Sequence, residues 1–207
     1  MVRLFVEAVP QVYLCCDTLL TAADIASASR FQNSGRRNEH LAWRRIVRRE
    51  LGHGITIEYN DVGAPIVTTP TTTPHISVAH SHGIVAVAIA DEPVGIDIES
   101  VGRDFSRAAT RYMRSEECEL CEDELWMAMV WTAKEAMYKY YGVKGIDLRD
   151  DLRITAYDAT TRRMCGELCG KEAVNIDISL YDEEYIVATA VGKRDNNRHC
   201  VAKYKCR

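Results

Sequence analysis

The feature that most constrains this chain is a repeat within it. Ile76-Ser-Val-Ala-His-Ser-His-Gly-Ile-Val-Ala-Val-Ala-Ile89 and Ile178-Ser-Leu-Tyr-Asp-Glu-Glu-Tyr-Ile-Val-Ala-Thr-Ala-Val191 align without gaps at an offset of 102 residues, with six of fourteen positions identical. Each copy reads as a strand, a polar turn and a second strand rich in β-branched residues, which is the pattern of a hairpin. Upstream of each lies a helical segment ending in glycine: Leu41 to Leu51 before Gly52, and Trp131 to Tyr141 before Gly142. Glycine just past the last turn stops a helix, because it leaves the helical conformation without a Cβ penalty. The chain therefore reads as an α+β protein of two similar halves related by pseudo-twofold symmetry, each a long helix packed on a small, mainly antiparallel sheet. The halves are expected over residues 1–100 and 101–207. A duplicate of this kind places its most useful cleft between the copies, and a monomer is its simplest state.

The connecting segments follow from composition. Thr68 to Pro74 is a proline-punctuated loop, expected to be exposed and mobile, and the acidic stretch Ser115 to Met129 is expected to form a helix of its own. The longest apolar runs, such as Ile84 to Ala90, fall far short of the roughly 20 residues of a membrane helix, and Met1 to Pro10 carries no basic segment followed by a long apolar one. A soluble, unprocessed cytoplasmic protein is the expectation, with no membrane partner. With 47% hydrophobic residues in 207, the chain can build a core without disulfides, so its eight cysteines are expected to be reduced thiols. Cys118-x-x-Cys121 and Cys165-x-x-x-Cys169 raise a zinc site, but the second pair has helical spacing and neither is flanked by the glycines or aromatics of a zinc ribbon.

Charge is unevenly spread. Residues 1–100 contain no lysine, and seven of their eight arginines (Arg30, Arg36, Arg37, Arg44, Arg45, Arg48 and Arg49) fall in a segment whose single acid is Glu39. Such a cluster can hold phosphates bidentately, meet an acidic partner protein, or form a solvated helix face. Nucleic acid is not expected, because the whole chain is acidic and the basic stretch has few interleaved aromatics.

The chemistry concentrates in two short motifs. In Gly95-Ile96-Asp97-Ile98-Glu99 apolar and acidic residues alternate, so on a strand Asp97 and Glu99 share one side while Ile96 and Ile98 take the other. In Trp131-Thr-Ala-Lys-Glu-Ala-Met-Tyr-Lys139, residues 131, 135 and 139 share a helix face, with Glu135 and Lys139 in the favourable order. If strand and helix meet, Asp97, Glu99 and Glu135 make an all-oxygen site for magnesium or manganese, and Lys139 can neutralise a phosphate oxygen.

Val94-Gly-Ile-Asp-Ile-Glu99, followed some thirty residues later by Trp131-Thr-Ala-Lys-Glu-Ala-Met-Tyr-Lys139, resembles the signature of the 4'-phosphopantetheinyl transferases, specifically the monomeric, double-length Sfp type. Ala79-His80-Ser81 stands where that family often has Ser-His-Ser, and Gly63-Ala64-Pro65 is similar to its Gly-Lys-Pro turn. The resemblance covers most of residues 30–148. It implies the family's pseudo-dimeric fold and a reaction in which the phosphopantetheine arm of coenzyme A passes to a serine of an acyl or peptidyl carrier protein, releasing 3',5'-adenosine bisphosphate.

By that resemblance Asp97, Glu99 and Glu135 hold magnesium, and Lys139 stabilises charge on the leaving phosphate. Glu135 or Glu117 takes the serine proton, the second within a Ser115-Glu-Glu117 segment like one that carries a functional glutamate in the family. His80, Lys134, Lys139 and the arginines Arg37 and Arg44 are the expected coenzyme A contacts, with Arg36 a further substitute. Three departures concern the adenosine end: Ala64 replaces lysine, Ala79 replaces serine, and Glu39 or His40 falls near where an arginine for the 3'-phosphate is expected. The arginines could instead meet the acidic carrier protein, with apolar contacts from Tyr112 to Met129. Two other readings stay open, a magnesium-dependent phosphohydrolase using the same carboxylates, and a catalytically degenerate homologue that only binds a carrier protein.

Overall fold

A computed structural model describes residues 1–10 and 17–192. Cys15, Cys16, Cys200 and Cys206 lie outside the described residues. The first half runs β1 (Val2–Ala8), α1 (Ala22–Ala28), α2 (Ser34–Leu51), β2 (Thr56–Tyr59), β3 (Pro65–Thr68), β4 (His75–Ser81) and β5 (Ile84–Ala90). The second runs β6 (Val94–Ser100), a 3-10 turn at Ala109–Arg111, α3 (Ser115–Cys118), α4 (Trp126–Tyr141), β7 (Leu152–Asp158), β8 (Arg163–Leu168), β9 (Val174–Tyr181) and β10 (Tyr185–Gly192). Among the described residues, no helix is long and apolar enough to cross a membrane.

Both glycine stops hold. Gly52 and Gly142 follow the last turns of α2 and α4 with φ of 89° and 59°, each donating its N–H back into the helix. At its other end α2 is capped by Asn33, whose side chain accepts the Arg36 N–H. The acidic stretch before α4 is not one helix: only Ser115–Cys118 is helical, and α4 begins at Trp126 after Asp123 has turned the chain by accepting the Leu125 N–H.

The mixed α and β elements form antiparallel sheets in the orders β1-β5-β4, β2-β3 and β6-β10-β9-β8-β7. Strand β6 was expected with the first half, yet it is hydrogen-bonded to β10 and belongs to the five-stranded sheet of the second. Both repeated segments are hairpins, but of different length. His82 and Gly83 form a two-residue turn with φ of 47° and 80° that pairs Ser81 with Ile84, whereas a three-residue turn pairs Tyr181 with Tyr185. A gapless alignment would set Ile186 against Glu183; it faces Leu180 instead. The repeat in the sequence therefore does not carry strand register from one half to the other.

Alternation along the strands builds the layers. On β5, Val85, Val87 and Ile89 pack with Leu41, Ile46 and Val47 of α2, while Ile84, Ala86, Ala88 and Ala90 turn to the opposite face. There they meet Val94, Ile96 and Ile98 of β6 and Val187 of β10. The next residues of β10, Ile186, Ala188 and Ala190, pack under α4 with Val130, Ala133 and Met137. The order through the molecule is thus α2, first sheet, second sheet, α4, and the small alanine face of β5 lies at the contact between the two sheets.

Candidate active site

Strand β6 presents Gly95, Asp97 and Glu99 to α4 and Ile96 and Ile98 to the inter-sheet core, as its period of two requires. Gly95 sets the spacing. A Cβ there would lie 1.9 Å from the Ala136 carbonyl oxygen and 2.6 Å from the Tyr140 nitrogen, so helix backbone rests directly on strand backbone. One helical turn along, Lys139 Nζ donates to Asp97 Oδ1 at 2.8 Å and to the Ile96 carbonyl at 3.0 Å. Further along, Trp131 Nε1 donates to Glu99 Oε1 at 3.0 Å. The first half closes the arrangement from the other side: Ser77 Oγ accepts the Ile96 N–H at 3.0 Å, and Ser81 Oγ donates to Glu99 Oε2 at 3.2 Å.

Glu135, on the same face of α4 as Lys139, is half-buried and makes no hydrogen bond among the described residues. Burial pushes its carboxyl above the ordinary range and the Asp97 charge adds to this, against the pull of Lys139. Burial likewise raises Asp97, with Lys139 opposing and Glu99 reinforcing. Glu135 and Lys139 line a cleft of about 240 Å³ whose other wall is Val62 to Pro65 and Ile76 to Val78. The Gly63-Ala64-Pro65 turn, with Gly63 at φ 82°, thus faces α4 across this cleft, and Ala64 leaves no charge there.

A divalent cation can be tested against these residues. Among the described residues Asp97 Oδ2 is buried and accepts no hydrogen bond, and the Glu135 carboxylate close by has no hydrogen-bonding partner. Acceptor-only oxygens that raise each other's proton affinity fit a hard cation. The carboxylates are not gathered as a ready ligand set: no three His, Cys, Asp or Glu among the described residues stand close enough to hold a metal. Asp97 is tied to Lys139, and Glu99 to Arg103. This applies equally to the zinc idea, since Cys118, Cys121, Cys165 and Cys169 form no such group among the described residues.

Two expected residues are not brought to the cleft. Glu117 is buried, its Oε1 accepting the Ile154 N–H and its Oε2 the Arg114 N–H, and Lys134 Nζ lies 2.8 Å from it. Lys134 is fully buried and also donates to the Tyr112 and Leu152 carbonyls. Every donor and acceptor of the pair is taken, so it ties α3 and α4 to β7 at the edge of the sheet opposite β6. Neither a proton acceptor nor a coenzyme A contact is available there.

The arginine cluster is mostly spent inside the chain. Arg44 and Arg48 are buried on Asp24, Arg45 pairs with Asp17 and Glu7, and Arg49 with Glu7 and Glu50. Arg44 also lies against the Trp43 and Tyr59 rings, which removes it as a phosphate ligand. Arg37 donates to the Phe31 carbonyl and is half-buried, and its Nε has no partner among the described residues. His40 is sealed between Ser27 and Arg44, and burial with the neighbouring Arg44 and Arg30 charges lowers its pKa to about 3. Arg36 is the arginine that reaches the site, 3.0 Å from His80 Nε2, while His80 Nδ1 lies 3.4 Å from Glu39. Burial lowers the His80 pKa against the Glu39 charge, so the ring is held neutral.

Arg36, Glu39, His80, Ser81, His82, Glu99 and Arg103 line an open cleft of about 700 Å³. Sequence reasoning missed Arg103, Ser77 and the role of Gly95. Arg103 stands four residues after Glu99, but across a Val-Gly turn that ends a strand and not on a helix, so the spacing gave no signal, and Ser77 belongs to a hairpin read only for its apolar pattern. Residues 93–190 match the family model of the 4'-phosphopantetheinyl transferase superfamily, a span that takes in β6 to most of β10 and both motifs of the site. No curated protein matches the chain.

Proposed function

We propose that this chain, which over residues 93–190 belongs to the 4'-phosphopantetheinyl transferase superfamily, transfers the 4'-phosphopantetheine of coenzyme A to a serine of an apo acyl or peptidyl carrier protein. The observation that carries this reading is the direct seating of α4 on β6, which sets Lys139 on Asp97 and Trp131 on Glu99, with Glu135 and Lys139 facing a cleft whose other wall comes from the first half. The same element order in the two halves supports reading them as pseudo-twofold copies in one monomer.

The serine oxygen attacks the phosphorus that carries the pantetheine arm. A phosphoester bond forms, the phosphoanhydride bond breaks, and 3',5'-adenosine bisphosphate leaves with the electron pair. Catalysis of this kind is mostly positioning and electrostatics. Asp97, Glu99 and Glu135 would hold magnesium, which when bound supplies positive charge to the pyrophosphate oxygens. Lys139, fixed by Asp97 and the Ile96 carbonyl, adds a cation at the leaving phosphate. Of the two glutamates that could take the serine proton, Glu135 has an open carboxylate and Glu117 does not. Arg36 offers N–H donors to a coenzyme A phosphate, and His80, accepting from it at Nε2 with Nδ1 turned to Glu39, holds the guanidinium in place.

The test is intact-protein mass spectrometry of apo carrier proteins incubated with this chain, coenzyme A and magnesium, with and without chelator. The expected result is a chelator-sensitive gain of one phosphopantetheine on the carrier serine. No gain on carrier proteins of fatty acid, polyketide and peptide synthesis would overturn the assignment.

A further inference from the structure

We propose that Arg103 stands in for the divalent cation on Glu99 and passes to a substrate phosphate when that cation binds, so that metal and substrate binding are coupled through one side chain. The inference rests on reading Asp97, Glu99 and Glu135 as the cation site.

Glu99 is buried and takes three donors from the chain itself: Arg103 Nη1 and Trp131 Nε1 on Oε1, and Ser81 Oγ on Oε2. Trp131 and Ser81 are neutral, so of these three donors Arg103 alone brings a positive charge to the carboxylate. A divalent cation arriving at the same oxygens meets that positive charge at contact distance, and the two repel. Arg103 is the partner able to leave. Its side chain is 42% exposed, whereas Trp131 is anchored in α4 and packs edge-on against Tyr112.

The guanidinium has a ledge to move along. It lies 4.8 Å from the Phe105 ring centroid and 5.3 Å from that of Trp131, so its flat face can stay over the aromatics while its edge turns from Glu99 toward the open cleft. Across that cleft stand Arg36 and His80. A guanidinium freed from a carboxylate presents the same two-pronged edge to a phosphate, and Arg36 supplies a second one. The charge balance also favours the exchange. The cation replaces Arg103 at Glu99, and the released arginine meets the anion that the cation accompanies.

The experiment is isothermal titration of magnesium into the wild-type chain, Arg103→Gln and Arg103→Lys, each with and without coenzyme A, together with titration of coenzyme A in magnesium. Because Arg103 lies at the surface of the cleft, the variants keep the fold, and their melting temperatures check this. In Arg103→Gln, magnesium alone should bind about tenfold tighter than in wild type, and coenzyme A about tenfold weaker. The enhancement of magnesium binding by coenzyme A should shrink by a similar factor, as reciprocity requires. Arg103→Lys, which keeps the charge and loses the fork, should bind magnesium as wild type does and coenzyme A more weakly. Wild type that binds both ligands, with Arg103→Gln binding magnesium no tighter, would overturn the role given to Arg103 alone. Wild type that binds neither would overturn the cation-site reading and this inference with it.

Discussion

Replacing Gly95 with alanine tests the joint on which the site is built. The added Cβ would stand 1.9 Å from the Ala136 carbonyl oxygen, backbone against backbone, with no flexible side chain to yield. Reaching ordinary contact requires α4 and β6 to part by about 1.5 Å. That displacement would stretch the 2.8 Å contact between Lys139 and Asp97 and the 3.0 Å contact between Trp131 and Glu99 beyond hydrogen-bond range. Overpacking of this kind costs about 3 kcal/mol, equivalent to a fall of about 6–12 °C in Tm for a chain of this size. A misplacement of about 1 Å among reacting groups lowers turnover by roughly a hundredfold. Calorimetry and transfer kinetics on the purified variant measure both. A variant that melts within a degree of wild type and transfers at half its rate or better would refute the direct seating of helix on strand, and with it the account of how the site is held.

Glu135→Gln should lower transfer by about 10²–10⁴-fold while leaving Tm at pH 7.5 unchanged or raised. The sign follows from linkage: burial and Asp97 raise the folded pKa of Glu135, so its ionisation drains stability as pH climbs through and above the ordinary carboxylate range. Glutamine removes that penalty, and a clear fall in Tm would count against it. Magnesium should raise the Tm of wild type and leave that of Asp97→Asn unmoved; equal shifts in the two would remove Asp97 from the cation site. Asp24→Asn leaves Arg44 and Arg48 buried without their counter-charge, at about 3 kcal/mol or more, read as a lower midpoint in urea. Burial raises the Asp24 carboxyl, but hydrogen bonds from Arg48 and Thr21 outweigh it and hold the folded pKa below the ordinary value. Wild-type stability should therefore drop as pH falls through that lowered pKa, a drop that Asp24→Asn should lack.

What the sequence disclosed was local. Gly52 and Gly142 mark true helix ends, and Asp97 and Glu99 share a face because alternation on a strand admits no other outcome. The motif helix and motif strand do meet. What stayed hidden depends on residues far apart in the chain. The arginines of α2 looked free because their partners, Glu7, Asp17 and Asp24, lie outside the segment and approach only once β1 and α1 have packed. Glu117 and Lys134 carried expected roles because nothing in their own segments shows that they are partners, and only the fold shows them facing each other beneath β7. The change of strand β6 from one half to the other could not be read either, since the residues that bond to it come ninety positions later in β10. The two hairpin turns differ by one residue, which sequence identity in the flanking strands conceals.

Strand β6 has β10 on one side only, and at the middle of its other side Ile96 has already given its N–H to Ser77 and its carbonyl to Lys139. A peptide laid along that border would find no backbone pair to bond with at its centre. Strand addition is closed at that point, so a partner meeting this border is selected by surface side chains. The same closure shields the strand that carries Asp97 and Glu99 from pairing there with its counterpart in a second copy.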